Sequence, residues 1–411
     1  MILSDTNIKR LVHKLTKMHG AALKIGQFLS IQDTHILPPS LDSIFRQVQD
    51  AAHYMPYSQL EEEEEKNRSP FIQFTPIPFA SASIGQVHSA LLSPSAYSSN
   101  RQERGYSGQH KTRPKTVKVQ FLGIKESIKS DLSYVSWLLS GLFLDRTIEV
   151  MSSELQDECS YTLEASYLRL FASPSFLGSD PRFRVPWVWD GSTDTVLVME
   201  MFEGERVGGE RIASLTIELC LLELFKFHTM QTNPNFSNFL YNIHTRRLGL
   251  VDFGATRVYG REFMKIWRAL LEAAVYGDEQ KCREMSREVG YFVDGESETM
   301  INTHLKSLSL LATPFKPSTS TSTLQPFSFA PDSEWGNITA EIRSLIPVML
   351  QERLTPPPRE AYSLNRKLSG AFLLASRLNA RVDTRAIWEK VLASVDGIDA
   401  GASASAIAGA P

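Results

Sequence analysis

The chain has 411 residues, of which 42% are hydrophobic, so it is long enough for two ordinary domains or one two-lobed unit with a substantial core. A formal net charge of -3 excludes a strongly basic nucleic-acid coat protein, and we predict no nucleic-acid partner. The three cysteines, Cys159, Cys220 and Cys282, are widely separated, which favours isolated thiols over a disulfide framework or a zinc site.

The first predicted element is an amphipathic helix within residues 8–32, where apolar side chains recur at helical spacing. A structured helix is unlike a cleavable, arginine-rich leader, so we expect any organelle leader to lie outside this sequence. The longest apolar stretch of the first half, 135–144, is shorter than the roughly 20 residues that span a bilayer. Packing against the rest of the protein explains the apolar stripe of the first helix better than membrane contact does.

Two β-like segments, 79–92 and 116–121, flank a stretch at 93–115 that is rich in serine, glycine, arginine and lysine. This composition predicts a mobile insertion in a hairpin. A second such insertion, with a run of serine and threonine, is predicted at 314–331. The chain then divides into an N-terminal helical extension (1–56), a β-rich lobe (70–202), a helical lobe (203–395) and a disordered tail of small residues (396–411).

The order of the chemically informative segments is typical of a kinase-like fold. A strand with Lys118 is followed by acidic helices, a further strand, a long helix, an asparagine-rich cluster and Asp252-Phe253-Gly254. Kinases use this order because a strand lysine grips the ATP phosphates and is held by a helix glutamate, while an asparagine and an aspartate coordinate magnesium. We therefore predict ATP and Mg2+ as cofactors.

The predicted metal ligands are Asn238 and Asp252. Asp252 follows the apolar strand 248–251, and Asn238 precedes it by fourteen residues, a combination that is more specific than either residue alone. The alternatives are a plain strand-to-turn exit at Asp252 and a turn or helix-cap role for Asn238.

Lys118 alternates with Val117 and Val119, which predicts that its side chain points to the opposite face of the strand. Its predicted partner is Glu164, with Glu158 as the alternative, on the helix predicted at residues 150–171. The two glutamates are six residues apart and lie on different helix faces, so at most one of them pairs with the lysine. An exposed strand lysine is the alternative interpretation of Lys118.

The loop before Lys118 has no GxGxxG pattern. Alanine and serine stand there instead and predict a stiffer loop with fewer close backbone approaches to phosphate. The hinge 200–203 is predicted to offer backbone groups to adenine. The predicted nucleotide-binding residues are Ala80, Ser81, Ala82, Ser83, Lys118, Glu200 and Phe202.

These motifs resemble the UbiB family of atypical kinases, also called aarF-domain-containing or ADCK proteins, and in particular their mitochondrial coenzyme Q branch. The resemblance runs from about residue 15 to residue 392, interrupted by the two insertions. Its most specific pieces are Lys24-Ile25-Gly26-Gln27, which matches the KxGQ motif of the family, the alanine-rich loop that ends at His88, the QTDPN-like stretch 231–238 and Asp252-Phe253-Gly254.

The resemblance implies an α+β, bilobal protein-kinase-like fold whose N-terminal extension covers the active site. It assigns catalysis to Lys118, Glu164, Asn233, Asn238 and Asp252, and control of access to Lys24, Gln27 and Glu158. The implied activity is that of an ATPase or small-molecule kinase that supports coenzyme Q biosynthesis. The implied partners are coenzyme Q biosynthetic proteins and an isoprenoid or quinone-precursor lipid. Peripheral association at the matrix face of the mitochondrial inner membrane is implied as well, and homodimerisation is left open.

Two departures from the family pattern bear on catalysis. Ser160 stands where the ExD element of the family has aspartate, and Asn233 stands where its QTDPN motif has the acid. Asparagine cannot accept a proton as a general base, although its carbonyl can still bind a donor or a metal-bound water. We therefore expect nucleotide binding with slow chemistry. The alternative is a non-catalytic nucleotide-binding scaffold, while a true protein kinase is disfavoured because the sequence has no HRD-type loop.

Overall fold

The computed structural model describes residues 70–81, 84–98, 113–138, 152–153, 155–205, 209–232, 238–318, 324–354 and 357–408. The predicted extension with Lys24 and Gln27, the loop residues Ala82 and Ser83, and Asn233 lie outside these ranges. The chain divides into two compact units. The first contains the described residues up to Glu205 together with Asn238–Ala255, and the second contains the other described residues.

The first unit is built on a five-stranded antiparallel sheet. The first six strands of the chain are β1 (Phe71–Phe74), β2 (Ala80–Ser81), β3 (Gly85–Leu92), β4 (Lys115–Gln120), β5 (Phe183–Arg184) and β6 (Val196–Glu200). All except β5 belong to this sheet, in the order β1, β3, β4, β6, with β2 paired to the start of β3. The described helices of this unit are α1 (Pro94–Ser98), α2 (Ile124–Leu138) and α3 (Tyr161–Phe171).

One face of this sheet is buried in an apolar cluster that includes Val117, Val119, Val198 and Trp187. Branched side chains suit this position because they pack well on a pleated surface. Gly85 lets β3 approach β4 closely, since a Cβ atom there would lie 2.2 Å from the carbonyl oxygen of Val119. The glycine of the alanine-rich loop is therefore required by strand packing.

A three-stranded sheet completes the β structure of the first unit. Strands β8 (Phe239–Asn242) and β9 (Arg247–Leu250) form an antiparallel hairpin, and β5 pairs with β9 in parallel. The ring of Phe202 lies over Gly249 of β9, where a Cβ atom would come within 2.6 Å of it. The segment after β6 is thereby held against β9.

The second unit is mainly helical around one large apolar core that includes Trp267, Phe372 and Trp388. Its described elements are α4 (Glu210–Leu222), a π-helical turn (Glu223–Phe227), β7 (Thr229–Gln231), β10 (Thr256–Val258), α5 (Arg261–Tyr276), α6 (Glu279–Val289), α7 (Glu298–Leu311), a 3-10 turn (Thr313–Phe315), β11 (Phe327–Ser328), α8 (Glu334–Glu352), α9 (Arg359–Arg377), β12 (Arg381–Val382) and α10 (Thr384–Ala408). Strand β7 pairs with β10, and β11 pairs with β12.

The π-helical turn follows α4 directly and ends at His228, whose φ of 47° lies in the left-handed region. The first residue of this turn, Glu223, is fully buried. Its carboxylate lies 2.7 Å from Nζ of Lys367 and accepts a hydrogen bond from the backbone N–H of Gln231 at 3.3 Å. The turn thus connects α4, α9 and β7 through one buried carboxylate.

Three regions predicted to lack structure are ordered where they are described. In the predicted insertion 93–115, residues Pro94–Ser98 form α1, and Ala96 is buried in the apolar cluster of the first unit. In the predicted insertion 314–331, Phe315, Phe327 and Phe329 are buried in the core of the second unit, so these parts are not a mobile excursion. Helix α10 continues to Ala408, so the predicted disordered tail 396–411 overlaps a helix. Alanine is frequent in that stretch and is the strongest helix former, which outweighs its low complexity.

The predicted α+β class is confirmed by a β-rich first unit and a helical second unit. Within the described ranges, no helix is both long and apolar enough to cross a membrane.

Candidate nucleotide and magnesium site

Lys118 lies in the middle of β4, where strand alternation fixes the direction of its side chain. Val117 and Val119 belong to the apolar cluster, so Lys118 projects from the other face of the sheet. Its Nζ atom donates a hydrogen bond to Oε1 of Glu164 at 2.6 Å. Of the two predicted partners, Glu164 makes this contact and Glu158 does not.

Glu164 connects the lysine to the Asp-Phe-Gly segment. The same Oε1 atom accepts a hydrogen bond from the backbone N–H of Phe253 at 3.1 Å. The ring of Phe253 is fully buried and packs against Phe171, with ring centroids 4.7 Å apart. Helix α3 therefore contacts Lys118 through Glu164 in the first turn of the helix. It contacts Phe253 twice, through Glu164 in this turn and through Phe171 at the end of the helix.

Asp252 is the more open member of the group. Its Oδ2 atom lies 3.9 Å from Nζ of Lys118, and its Oδ1 atom accepts a hydrogen bond from the backbone N–H of Gly254 at 3.0 Å. The side chain of Asp252 is 37% exposed, whereas that of Lys118 is 10% exposed. A carboxylate oxygen that solvent can reach beside a fixed ammonium group suits a metal ion that also binds phosphate.

Burial alone would lower the pKa of Lys118, but the carboxylates of Asp252 and Glu164 act in the opposite direction and raise it above the ordinary lysine value. Lys118 therefore keeps its positive charge at neutral pH. An ammonium group that is already held by protein carboxylates is preorganised to meet the charge of a phosphate.

The position of Asn238 follows from the β8–β9 hairpin. The backbone N–H of Val251 donates a hydrogen bond to the carbonyl oxygen of Asn238 at 3.2 Å, and the next pair in register is Phe239 with Leu250. Asn238 therefore lies across the hairpin from the residue that precedes Asp252. Both predicted metal ligands come from one small sheet of the first unit.

The other described candidates lie in the same unit. Ala80 and Ser81 form β2, opposite Val87 and Gln86 of β3. Glu158 packs beside Gly254, where a Cβ atom would lie 3.5 Å from Cγ of Glu158. Its role in access to the site stays a prediction.

Among the described residues, no group of three or more His, Cys, Asp or Glu side chains is arranged to hold a metal ion. Proteins commonly bind magnesium through one or two carboxylates together with substrate phosphates and waters. Asp252 and Asn238 would supply the protein oxygens, and Lys118 would meet the phosphates. The donor set is compatible with Mg2+ and ATP and has no features of a zinc site.

The comparison with known protein families decides the relationship. The ABC1 atypical kinase-like domain matches residues 47–98 and 109–286. The chain belongs to this family. The match includes the described segments that carry Lys118, Glu164, Asn238 and Asp252, and it confirms the resemblance to the UbiB and aarF-domain-containing kinases.

Curated relatives extend the match along most of the chain. The mitochondrial atypical kinase COQ8 of Schizosaccharomyces pombe is 39% identical over 95% of this chain and 63% of its own length. The COQ8 protein of Saccharomyces cerevisiae is 39% identical over 96% of this chain and 77% of its own, and COQ8B of Rattus norvegicus is 35% identical over 94% and 72%. The chain thus spans 63% to 77% of the length of these three relatives, and less than two thirds of the first.

Among solved structures, the chain resembles Rv3197 of Mycobacterium tuberculosis, which was solved in complex with erythromycin. The TM-score is 0.57, the sequence identity is 22%, and the match covers 93% of this chain and 95% of the other. At this identity the likeness supports the kinase-like fold alone.

One departure of this ABC1-family chain from the UbiB-like pattern has a local structural explanation. Ser160 is the N-cap of α3, where its Oγ atom accepts a hydrogen bond from the backbone N–H of Leu163 at 3.3 Å. The same hydroxyl donates to Oδ1 of Asp194 at 2.8 Å. Serine caps helices about as well as aspartate, so the start of the helix that bears Glu164 survives the replacement.

Sequence reasoning missed Gln120, which shares a strand face with Lys118. Its Nε2 atom donates hydrogen bonds to the carbonyl oxygens of Cys159 and Asp194, both at 3.0 Å. These bonds fix the turn that leads into α3 and therefore the position of Glu164. Alternation along β4 was the available signal, because a polar residue two positions after a functional lysine lies on the same face.

Proposed function

We propose that this ABC1-family protein binds Mg-ATP in its first unit and acts as an atypical kinase-like protein in coenzyme Q biosynthesis. One observation carries the proposal: Glu164 contacts both Lys118 and the backbone of Phe253, so that lysine, helix and Asp-Phe-Gly segment form one connected group. Kinases require this connection for nucleotide handling. The identity of relatives named COQ8 supports the biosynthetic assignment.

Each residue has a distinct part in this proposal. Lys118 pairs with the phosphates, Glu164 fixes the lysine, and Asn238 and Asp252 hold the metal. Magnesium would neutralise the charge that develops on the transferred phosphoryl group. The segment after β6 would contact adenine through its backbone. The carboxylate of Glu200 is bound to Arg184 and would take no part in this contact.

We propose an ATPase or a small-molecule phosphotransferase rather than a protein kinase. Asn233 cannot remove a proton from an acceptor hydroxyl, so turnover would be slow. The same residue motivates a second candidate, a nucleotide-binding scaffold without turnover. Ser160, which serves as a helix cap, is compatible with either candidate.

The relatives also support a proposed setting. Several of them are named as mitochondrial proteins, and we propose that this chain acts in mitochondria, at the matrix face of the inner membrane. Proposed partners are other coenzyme Q biosynthetic proteins and an isoprenoid or quinone-precursor lipid. Peripheral association would suffice for contact with a lipid of this class.

The first experiment measures thermal stabilisation by ATP, with and without magnesium, beside phosphate release. The proteins are the wild type, Asn233→Asp and the control Asn302→Asp, which adds the same acid at an exposed helix position. Stabilisation with slow release, accelerated only by Asn233→Asp, supports the enzyme. Stabilisation without release in all three supports the scaffold, and absence of stabilisation rules out the nucleotide site.

A further inference from the structure

The carboxylate of Glu200 faces away from Lys118. Glu200 pairs in register with Lys115 and Val198 pairs with Val117, so these four residues share one face of the sheet. Lys118, which pairs with Leu197, lies on the other face. The side chain of Glu200 therefore points away from the face of the sheet that carries Lys118.

The carboxylate of Glu200 binds Arg184 in the neighbouring sheet. The Nη2 atom of Arg184 lies 2.8 Å from Oε1 and 2.7 Å from Oε2 of Glu200, and the backbone N–H of Trp187 reaches the same carboxylate at 3.4 Å. The two charged side chains are 20% and 15% exposed. Charge-assisted hydrogen bonds at such partly buried positions are stronger than those of exposed ion pairs.

The pair connects the two sheets that carry the candidate site. Glu200 ends β6, which is bonded to β4 and hence to Lys118. Arg184 lies in β5, in register with Gly249 of β9, the strand that leads to Asp252. The contact of Phe202 with Gly249 connects the same two sheets, and so does the backbone pairing of Val188, in the segment after β5, with Met199 of β6.

We propose that Arg184 and Glu200 are positioning residues that set the separation between Lys118 and Asp252. Neither residue touches the reacting groups. Their ion pair helps to fix β4, the strand of Lys118, relative to the β8–β9 hairpin. It does so on the sheet face opposite to Lys118. This inference rests on the proposed Mg-ATP site, although its first test requires no nucleotide.

The first test is hydrogen exchange of the nucleotide-free protein, followed by mass spectrometry. In Arg184→Met, the backbone N–H of Phe253, which bonds to Glu164, should exchange about tenfold faster because one of the connections between the two sheets is lost. The peptide that contains Leu168 of α3 reports general opening of the unit and should be unchanged. Arg184→Lys retains the charge and should give an intermediate rate.

The second test separates positioning from general stability through magnesium. The ratio of the ATP dissociation constants without and with magnesium measures the coupling between phosphate and metal binding, and it should fall by about tenfold in Arg184→Met. Global destabilisation leaves this ratio unchanged if it is measured well below the unfolding temperature. The matched control is Arg169→Met, which breaks the more exposed pair of Arg169 with Asp190 in the same unit.

Each outcome of these tests either supports or contradicts the positioning role of Arg184 and Glu200. Equal acceleration of the Phe253 and Leu168 peptides, or no acceleration, would overturn the positioning role. If Arg184→Met does not fold, Glu200→Gln provides the same comparison with a smaller change. If the wild type binds no ATP, the proposed function fails, while the exchange rates still judge whether the pair holds the two sheets.

Discussion

In the part of the chain that the structure describes, each unit buries a lysine–glutamate pair, and the two pairs are nearly identical in length. Nζ of Lys118 lies 2.6 Å from Glu164, and Nζ of Lys367 lies 2.7 Å from Glu223. The side chains of the second pair are 1% and 0% exposed. In the first pair, the lysine also approaches Asp252, which solvent reaches.

The difference lies in what surrounds each pair. Nζ of Lys367 also donates a hydrogen bond to the backbone carbonyl of Gln231 at 2.7 Å, so protein atoms surround this charge. Lys118 faces two carboxylates, and the exposed one can be shared with a cation. A short ion pair alone does not identify a functional site; the third, accessible charge of Asp252 is the feature that favours the first unit as a candidate.

The largest expected effect comes from breaking the enclosed pair. Lys367→Met leaves the carboxylate of Glu223 buried without its ammonium partner, which should lower the free energy of unfolding by about 3–5 kcal/mol. Urea unfolding measures the change. The control Lys306→Met breaks the pair with Glu341, whose two side chains are 56% and 43% exposed, and should change stability by less than about 1 kcal/mol.

Lys118→Met should have a smaller effect on stability, of about 1–3 kcal/mol, because solvent reaches this group at Asp252, whereas Lys367 and Glu223 are fully enclosed. Stabilisation by Mg-ATP should be lost. Thermal unfolding with and without the nucleotide measures both quantities. The control Lys125→Met breaks an exposed pair with Asp194 and should retain the Mg-ATP effect. A variant of Lys118 with full nucleotide stabilisation would contradict the comparison.

A third prediction concerns His304, a buried group of the second unit that packs against the rings of Tyr291 and Phe292. Burial, with a contribution from Arg353, lowers the pKa of His304 to about 3. The unfolded chain takes up this proton below its ordinary pKa near 6.5, so folding stability from this residue is present above that pH and is lost as the pH falls toward 3. The loss should be about 1.4 kcal/mol per pH unit.

Unfolding of the wild type and His304→Gln between pH 7 and pH 5 tests this slope. The variant should show a flatter dependence, and identical slopes would mean that His304 is not the group responsible. The slope measures the free-energy cost of placing a positive charge on His304 in the core of the second unit. This cost can be compared with that of the buried ammonium group of Lys367, which is paired with Glu223.

The smallest effect on stability is expected for Asp252→Asn, within about 0.5 kcal/mol, because the side chain is more than a third exposed. The magnesium dependence of ATP binding should nevertheless disappear. Calorimetric titration of ATP in the presence and absence of magnesium measures it. Retained dependence on magnesium would remove Asp252 from the proposed ligand set.

The two pairs differ in how far sequence could predict them. The position of Lys118 was predicted from strand alternation, and that of Asp252 from the order of the motifs along the chain. Helical spacing alone left Glu158 and Glu164 both possible, since the helix was predicted to run unbroken through Ser160, which in fact caps α3. The family resemblance was needed to favour Glu164. Lys367 gave no signal, because its partner Glu223 is distant in sequence and only the tertiary fold brings them together.

The pair of Arg184 and Glu200 was hidden for a similar reason. Strand β5 has two residues, which is too short for alternation to reveal a face. The buried aromatic residues of the predicted insertion 314–331 were also missed. Serine and threonine dominated the composition of that stretch, although a few large rings, Phe327 and Phe329 among them, determine where it packs.

The π-helical turn Glu223–Phe227 makes the number of residues in this part of the chain important. Such turns close hydrogen bonds over one residue more than an ordinary helical turn does. Deletion of one residue between Glu223 and Phe227 would therefore let α4 continue as a regular helix. It would also shift β7, and with it the backbone N–H of Gln231, relative to the carboxylate of Glu223, so the spacing of the chain matters here as much as the identity of the side chains.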